Sequence, residues 1–149
     1  MEHLAQFLQS QRLLVLATQG DPVWVTNLLY CFGKDMKLYF ISGIDTEHSQ
    51  HIMARPSVAF STAWYNKNDH TDRKAVQGKG TCRMAVLDEE INEGVTLHNK
   101  NYPEFAERLT VDYIKSADNS SEVWVVEPYY IKHWDDELYG SNGTKEFTF

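Results

Sequence analysis

Cysteine is scarce in this chain: the 149 residues contain two, Cys31 and Cys82, both inside β-patterned runs. A pair of that kind is not a disulfide framework, and reduced packing thiols in a cytoplasmic protein are the expectation. Positive charge is also in deficit. A formal charge of −7 argues against nucleic acid or an anionic membrane as the main partner, because either would repel the chain at long range. No run approaches the ~20 apolar residues of a membrane-spanning helix. The opening MEHLAQFLQSQ lacks the basic start and apolar stretch of a secretion signal. Repeats and low-complexity segments are missing, as are a Walker loop, a nucleophile elbow and a paired-cysteine zinc signature. Hydrolase and nucleoside-triphosphatase readings lose support accordingly.

What is present is strand pattern. Aromatic residues make up 13% of the chain, which suits a β-rich core, and a single domain over 1–149 should bury roughly 70% of its unfolded surface. Leu4, Phe7 and Leu8 form one apolar stripe of a short helix that caps an open end of the sheet. The runs RLLVLAT, VWVTNLLYCF and KLYFIS follow, joined by GDP and GKD turns, and read as a three-stranded meander. Alternation in the second run puts Trp24, Thr26, Leu28 and Tyr30 on one face and Val23, Val25, Asn27, Leu29 and Cys31 on the other. Asp45 or Thr46 caps a helix, TEHSQHIMA, which Arg55-Pro56 ends because the residue before proline avoids helical angles.

SVAFSTAW is a fourth strand, and the polar stretch YNKNDHTDRK is a loop. KAVQGKGTCRMAVL resumes alternation, with Gly78 and Gly80 marking a bulge or a close backbone approach. Asp88 offers a helix cap with Glu89 and Glu90 in the first turn. A further helix starts near Pro103, with Phe105, Leu109 and Tyr113 at helical spacing. SSEVWVVEP and YYIKHWD finish the sheet, with Pro128 at an edge or corner between them. The tail GSNGTKEFTF carries no clear assignment. The fold class is mainly β with inserted helices (α+β): six or seven antiparallel strands in a closed or nearly closed barrel.

The order strand, strand, strand, helix, strand over Arg12–Trp64 resembles the FMN-binding split barrel of the pyridoxamine 5'-phosphate oxidase-like proteins. LATQGDPVWVTNLLY is similar to that family's first hairpin, LYFISG to its third strand, HIMARPSVAFS to its helix-to-strand passage and AVQGKGTCR to its fifth strand. The later half, with EVWVVEPYYIKHWDDELYG, is similar to a small uncharacterised bacterial subgroup. The resemblance implies a homodimer with FMN at the subunit interface, acting as an oxidoreductase on a small molecule. By position it assigns Thr26, Asn27, Leu28 and Leu29 to the isoalloxazine ring and Ile41, Ser42 and Gly43 to the ribityl chain. Gln77 would lie near the ring, and Trp134 would cover the ring or a substrate.

The phosphate of FMN would meet the helix start, where Thr46 keeps the family's hydroxyl but Glu47 and His48 replace its two bases. Glu47 would repel a phosphate, and His48 is only partly charged near neutral pH. Arg55, Arg73 and Lys74 are candidates to compensate. The same groove without a strong phosphate site suits haem, with His48, His51, His98 or His133 as axial ligand, or another aromatic ligand. A sensor or interaction protein that has lost the flavin is the non-catalytic alternative. Asp45, His48 and His51 are poorly spaced to share one metal ion.

Overall fold

The stretch from residue 24 to residue 32 sets the architecture. In the computed structural model, which describes residues 1–149, this stretch is two strands, β2 (Trp24–Leu29) and β3 (Cys31–Phe32). The remaining strands are β1 (Leu13–Thr18), β4 (Leu38–Gly43), β5 (Ser57–Tyr65), β6 (Arg73–Met84), β7 (Ser121–Asp135) and β8 (Thr144–Thr148). All pairings are antiparallel, and the sheet order is β2-β1-β5-β6-β7-β4-β3, with β8 added alongside β7. β2 and β3 thus sit at opposite ends of the order although one residue separates them, so the chain curls the sheet into a barrel.

The meander expected from the first three runs forms only as two separate hairpins, β2 against β1 and β4 against β3, and β4 takes β7 as its other neighbour. The cause is Tyr30. Its ring is fully buried, its backbone N–H donates to the Arg12 carbonyl, and its phenol donates to the Leu8 carbonyl at 2.6 Å. Those contacts turn the chain inward between β2 and β3. The Tyr102 phenol reaches the same seam, 2.6 Å from the Tyr30 carbonyl and 3.0 Å from that of Arg12.

Two further strand expectations change. Pro128 does not end a strand; β7 runs straight through it. β7 bulges beside it: Lys79 pairs with Tyr130 and Gly80 with Pro128, so Tyr129 is the extra residue, and this irregularity accommodates the missing proline N–H. A Cβ at Gly80 would lie 2.6 Å from the Glu127 carbonyl oxygen, so the close approach excludes a side chain. The unassigned tail supplies β8, which pairs with β7 over Tyr130–Trp134. Together with the break at Tyr30, this raises the strand count above the expected six or seven.

The helices cover only part of the barrel. α1 (Glu2–Ser10) buries Leu4, Phe7 and Leu8 against one end, as its stripe implies. α2 (Glu47–Ala54) follows the Thr46 cap and ends at Arg55. α3 (Asp88–Asn101) starts with Asp88 inside the first turn rather than capping it. It lays Ile91 and Val95 on Tyr39, Val123 and Val125, forming a second core on the outer face of β4 and β7. The helix expected from Pro103 is instead one 3-10 turn, Pro103–Phe105, and a short α4 (Val111–Lys115). Between them the Asn99 amide captures the Leu109 carbonyl at 2.7 Å, and Thr110 caps α4. α5 (Asp136–Tyr139) closes the turn after β7.

Buried Glu90 fastens α3 to the barrel. Its carboxylate lies 2.7 Å from Arg83 and 2.9 Å from Lys37. By contrast, no helix covers the outward faces of β2, β1 and β5. Leu13, Val25 and Leu29 are 52%, 58% and 43% exposed there, an apolar surface that one chain leaves in water.

Candidate functional site

Gln77 and Trp134 come together in one cleft. Alternation along β6 buries Val76, Gly78 and Gly80 and turns Gln77 outward; alternation along β7 buries Ile131 and His133 and turns Lys132 and Trp134 outward. The two strands then bring Gln77 opposite Lys132 and Ala75 opposite Trp134. With Asn142 and Thr144 from the tail, these residues line a cleft of about 330 Å³. The indole is held firmly. Its N–H donates to Asp136 at 2.8 Å, and the Arg73 guanidinium stands 4.4 Å from the ring centre. A fixed aromatic plane beside an outward amide and an ammonium suits a flat, acceptor-rich heterocycle.

The β2 residues occupy a different part of the same outer surface. Asn27 pairs with Val15, Val15 with Ser61 and Ser61 with Gln77, so one cross-strand row joins Asn27 to Gln77. Three strand spacings separate them, about 14 Å. Thr26 and Leu28 point toward the barrel interior and are half-buried, whereas Asn27 and Leu29 face outward. One small ring therefore cannot touch both Asn27 and Gln77 of the same chain. The two sets can meet on one ligand only if they come from two copies packed face to face.

The third group of candidates lies around the start of α2. Ile41, Ser42 and Gly43 end β4 half-buried. The His48 ring is folded inward and buried, with Nε2 2.8 Å from the Ser42 hydroxyl and 3.1 Å from that of Thr46. Thr46 also donates toward the Gly43 carbonyl and accepts from the Ser49 N–H as the helix cap. Burial, then the nearby His51, lowers the His48 pKa, so the ring is neutral at physiological pH. Glu47 is left outward, and its nearest cationic candidate is His51 at 3.9 Å.

Within one chain, none of the compensating bases reaches this point. Arg55 sits at the opposite end of α2, about 12 Å away along the axis. Arg73 pairs with Asp136 at 2.8 Å and Lys74 with Glu137 at 2.7 Å, both at the far end of β6. The metal alternative fails on direction, since His48 faces Ser42 while His51 Nδ1 contacts Thr18 at 3.1 Å. His98 is buried against Tyr102 and Phe105, and His133 lies inside the barrel between Phe7 and Tyr139. Burial pushes the Cys31 and Cys82 thiols up to about 12, so neither is a nucleophile at neutral pH. A larger concavity, about 530 Å³, holds none of the residues expected to bind a cofactor; it lies between α2 and the end of β6, walled by Met53, Met84, Val86 and Leu87.

Comparison with known proteins identifies the family. The family described as pyridoxamine 5'-phosphate oxidase matches residues 1–135. The chain belongs to the pyridoxamine 5'-phosphate oxidase family. Among solved structures, a conserved hypothetical protein from Mycobacterium tuberculosis superposes with a TM-score of 0.72 at 17% identity, over 90% of this chain and 83% of that one. A FAD-binding protein from Mesorhizobium loti gives 0.68 at 14% identity, over 89% and 91%. A haem-binding protein from Mycobacterium smegmatis gives 0.74 at 15% identity, over 97% of this chain but 56% of that one. At such identities the likeness is one of fold. No curated protein matches the chain.

For a pyridoxamine 5'-phosphate oxidase family member, the decisive fit is at the phosphate. The start of a helix attracts an anion by ~0.3–1 kcal/mol at an exposed site. A carboxylate about 4 Å from one phosphate charge costs ~1 kcal/mol in water and ~4 kcal/mol at an effective dielectric of 20, and a dianion doubles either figure. With Thr46 engaged as a cap and His48 neutral and turned inward, Glu47 decides the sign. The Gln77–Trp134 cleft offers a flat ring an aromatic wall and polar side chains, whereas the start of α2 offers the phosphate of FMN no cationic side chain of the same chain.

Proposed function

We propose that the protein is a homodimeric binding module for a planar aromatic ligand of the flavin ring class. The ligand lies between the outward face of β2 in one copy and the Gln77–Trp134 cleft of the other. The observation that carries this reading is the convergence of Gln77 and Trp134, from different strands, on one cleft with the indole fixed by Asp136 and Arg73. The exposed apolar face of β2 and β1 supports the dimer, because a second copy would bury it. The roughly 14 Å between Asn27 and Gln77 supports a site shared by two chains.

An FMN-dependent oxidoreductase is the less supported reading, given the helix start described above. Haem is less supported for a separate reason: His98 and His133 are enclosed in the protein, His48 is tied to two hydroxyls, and His51 contacts Thr18 through Nδ1 with Glu47 3.9 Å from its Nε2. The test is a visible spectrum of the purified protein followed by titration with riboflavin, read by flavin fluorescence. Saturable binding with one ring per chain is the expected result. No binding up to about 1 mM, equivalent to about 4 kcal/mol, would leave a split-barrel dimer with another ligand class.

A further inference from the structure

We propose that the ligand of this groove carries no phosphate, and that Glu47 is the residue that selects against one. The inference rests on the ring-binding reading above and adds the chemistry of the ligand's tail: neutral and hydroxylated rather than anionic.

Three observations carry it. The Thr46 hydroxyl, which would otherwise meet a phosphate, contacts the Gly43 carbonyl at 2.9 Å and the Ser49 hydroxyl at 2.7 Å while capping α2. His48 is 7% exposed and lies between the Ser42 and Thr46 hydroxyls, so its ring fastens the end of β4 to the start of α2 and offers nothing outward. Glu47 remains as the outward side chain of this turn, 48% exposed, with no Lys or Arg paired to it. The first-turn N–H groups of a helix are still donors, but a carboxylate beside them receives a hydroxyl and repels an anion. The ends of the two hydroxyl-bearing side chains are already bonded within the protein, so the polar lining left for a ligand is acceptor-rich and negative. That lining fits a polyol chain.

The experiment uses the full chain and two kinds of probe. Riboflavin and FMN are titrated separately by flavin fluorescence, and inorganic phosphate is titrated alone while the amide signals of Glu47 and His48 are followed by NMR. Riboflavin binding at least as tightly as FMN, with those amides unmoved by millimolar phosphate, is the expected result. Glu47→Lys should tighten FMN about tenfold with riboflavin little changed, and added salt should erode that gain. Glu47 is exposed, so the variant should fold; its melting curve checks this.

FMN preferred over riboflavin by the native protein, or saturable phosphate shifts at those amides, would overturn the inference while leaving the ring-binding reading intact. If neither flavin binds the native protein or Glu47→Lys, the ring reading fails instead. The phosphate titration then decides the selectivity by itself: a response gained only in Glu47→Lys upholds it, and a response already present in the native protein sinks it.

Discussion

Gln77 and Trp134 are diagonal neighbours on the outward face of β6 and β7, each opposite the residue two positions from the other: Gln77 faces Lys132, and Trp134 faces Ala75. That diagonal makes the indole a wall of the cleft rather than a core residue. Trp134→Ala should weaken riboflavin binding about tenfold, since stacking on an aromatic plane contributes ~0.5–1.5 kcal/mol beyond area burial. Fluorescence titration reads the change, and an unaltered dissociation constant would remove Trp134 from the site. Gln77→Ala should cost less, because one exposed amide hydrogen bond is worth about 1 kcal/mol.

The uncovered outer face makes its own prediction. Val25 is 58% exposed on β2, opposite Ala17 and on the same outward face as Leu13 and Leu29. Val25→Asp adds a charge to the surface proposed to join two copies, while the lone barrel tolerates it in water. Sedimentation velocity should show a native dimer and a folded monomeric variant that no longer binds riboflavin. A variant that stays dimeric would move the interface elsewhere.

Acid stability should depend on Glu90. Hydrogen bonding to Arg83 first, and then to Lys37, lowers its carboxyl from 4.5 to about 2, outweighing the opposing effect of burial. A carboxylate depressed in the folded state stabilises the fold above its unfolded pKa and ceases to do so as pH falls through the folded value. The contribution is thus intact above pH 4.5 and disappears between pH 4.5 and about 2. Glu90→Gln should lower stability by about 1–2 kcal/mol at pH 7 and flatten that acid limb in urea titrations.

Three buried histidines set a slope at milder pH. Burial is the first cause of the lowered pKa of His48, His98 and His133. Each holds its proton less readily folded than unfolded, so the unfolded chain takes up protons first as pH falls below about 6.5. Stability should therefore be greater at pH 8 than at pH 5. Each histidine contributes at most ~1.4 kcal/mol per pH unit inside its window. His133→Leu, which also removes the unpartnered buried Nε2, should reduce the slope by up to one proton. Melting temperatures across this range provide the measurement.

The barrel was legible in the sequence because period-two patterning survives in nearly every strand, and Arg55-Pro56 marks the end of α2 plainly. The break at Tyr30 was not. VWVTNLLYCF alternates without interruption, and what splits it is a set of contacts from Leu8, Arg12 and Tyr102, which no local pattern encodes. Pro128 misled because one extra residue beside it, Tyr129, bulges β7 and lets the strand continue past the proline. Phe105, Leu109 and Tyr113 had helical spacing, but the Asn99 side chain competes for the backbone between them.

The cleft was half legible. The family resemblance singled out Gln77, and Trp134 stood out as a large aromatic late in the last strand, whereas Asn142 and Thr144 lay in a tail without strand signal. Lys132 was recoverable, since alternation with Trp134 places it on the same face. At α2, the letters Thr-Glu-His showed the missing bases; the inward fold of His48 depended on Ser42, across a turn, and was hidden until the chain was folded.

The Tyr102 clasp bears on how this molecule comes apart. One phenol at the end of α3 reaches carbonyls at Arg12 and Tyr30, where the barrel seam closes. Loosening α3 therefore also opens the seam, and the helix cannot peel away from an intact barrel as an independent foldon. Amide protons along β2 and β3 should exchange in step with those of α3, so that the two regions share one opening event despite lying some seventy residues apart in the chain.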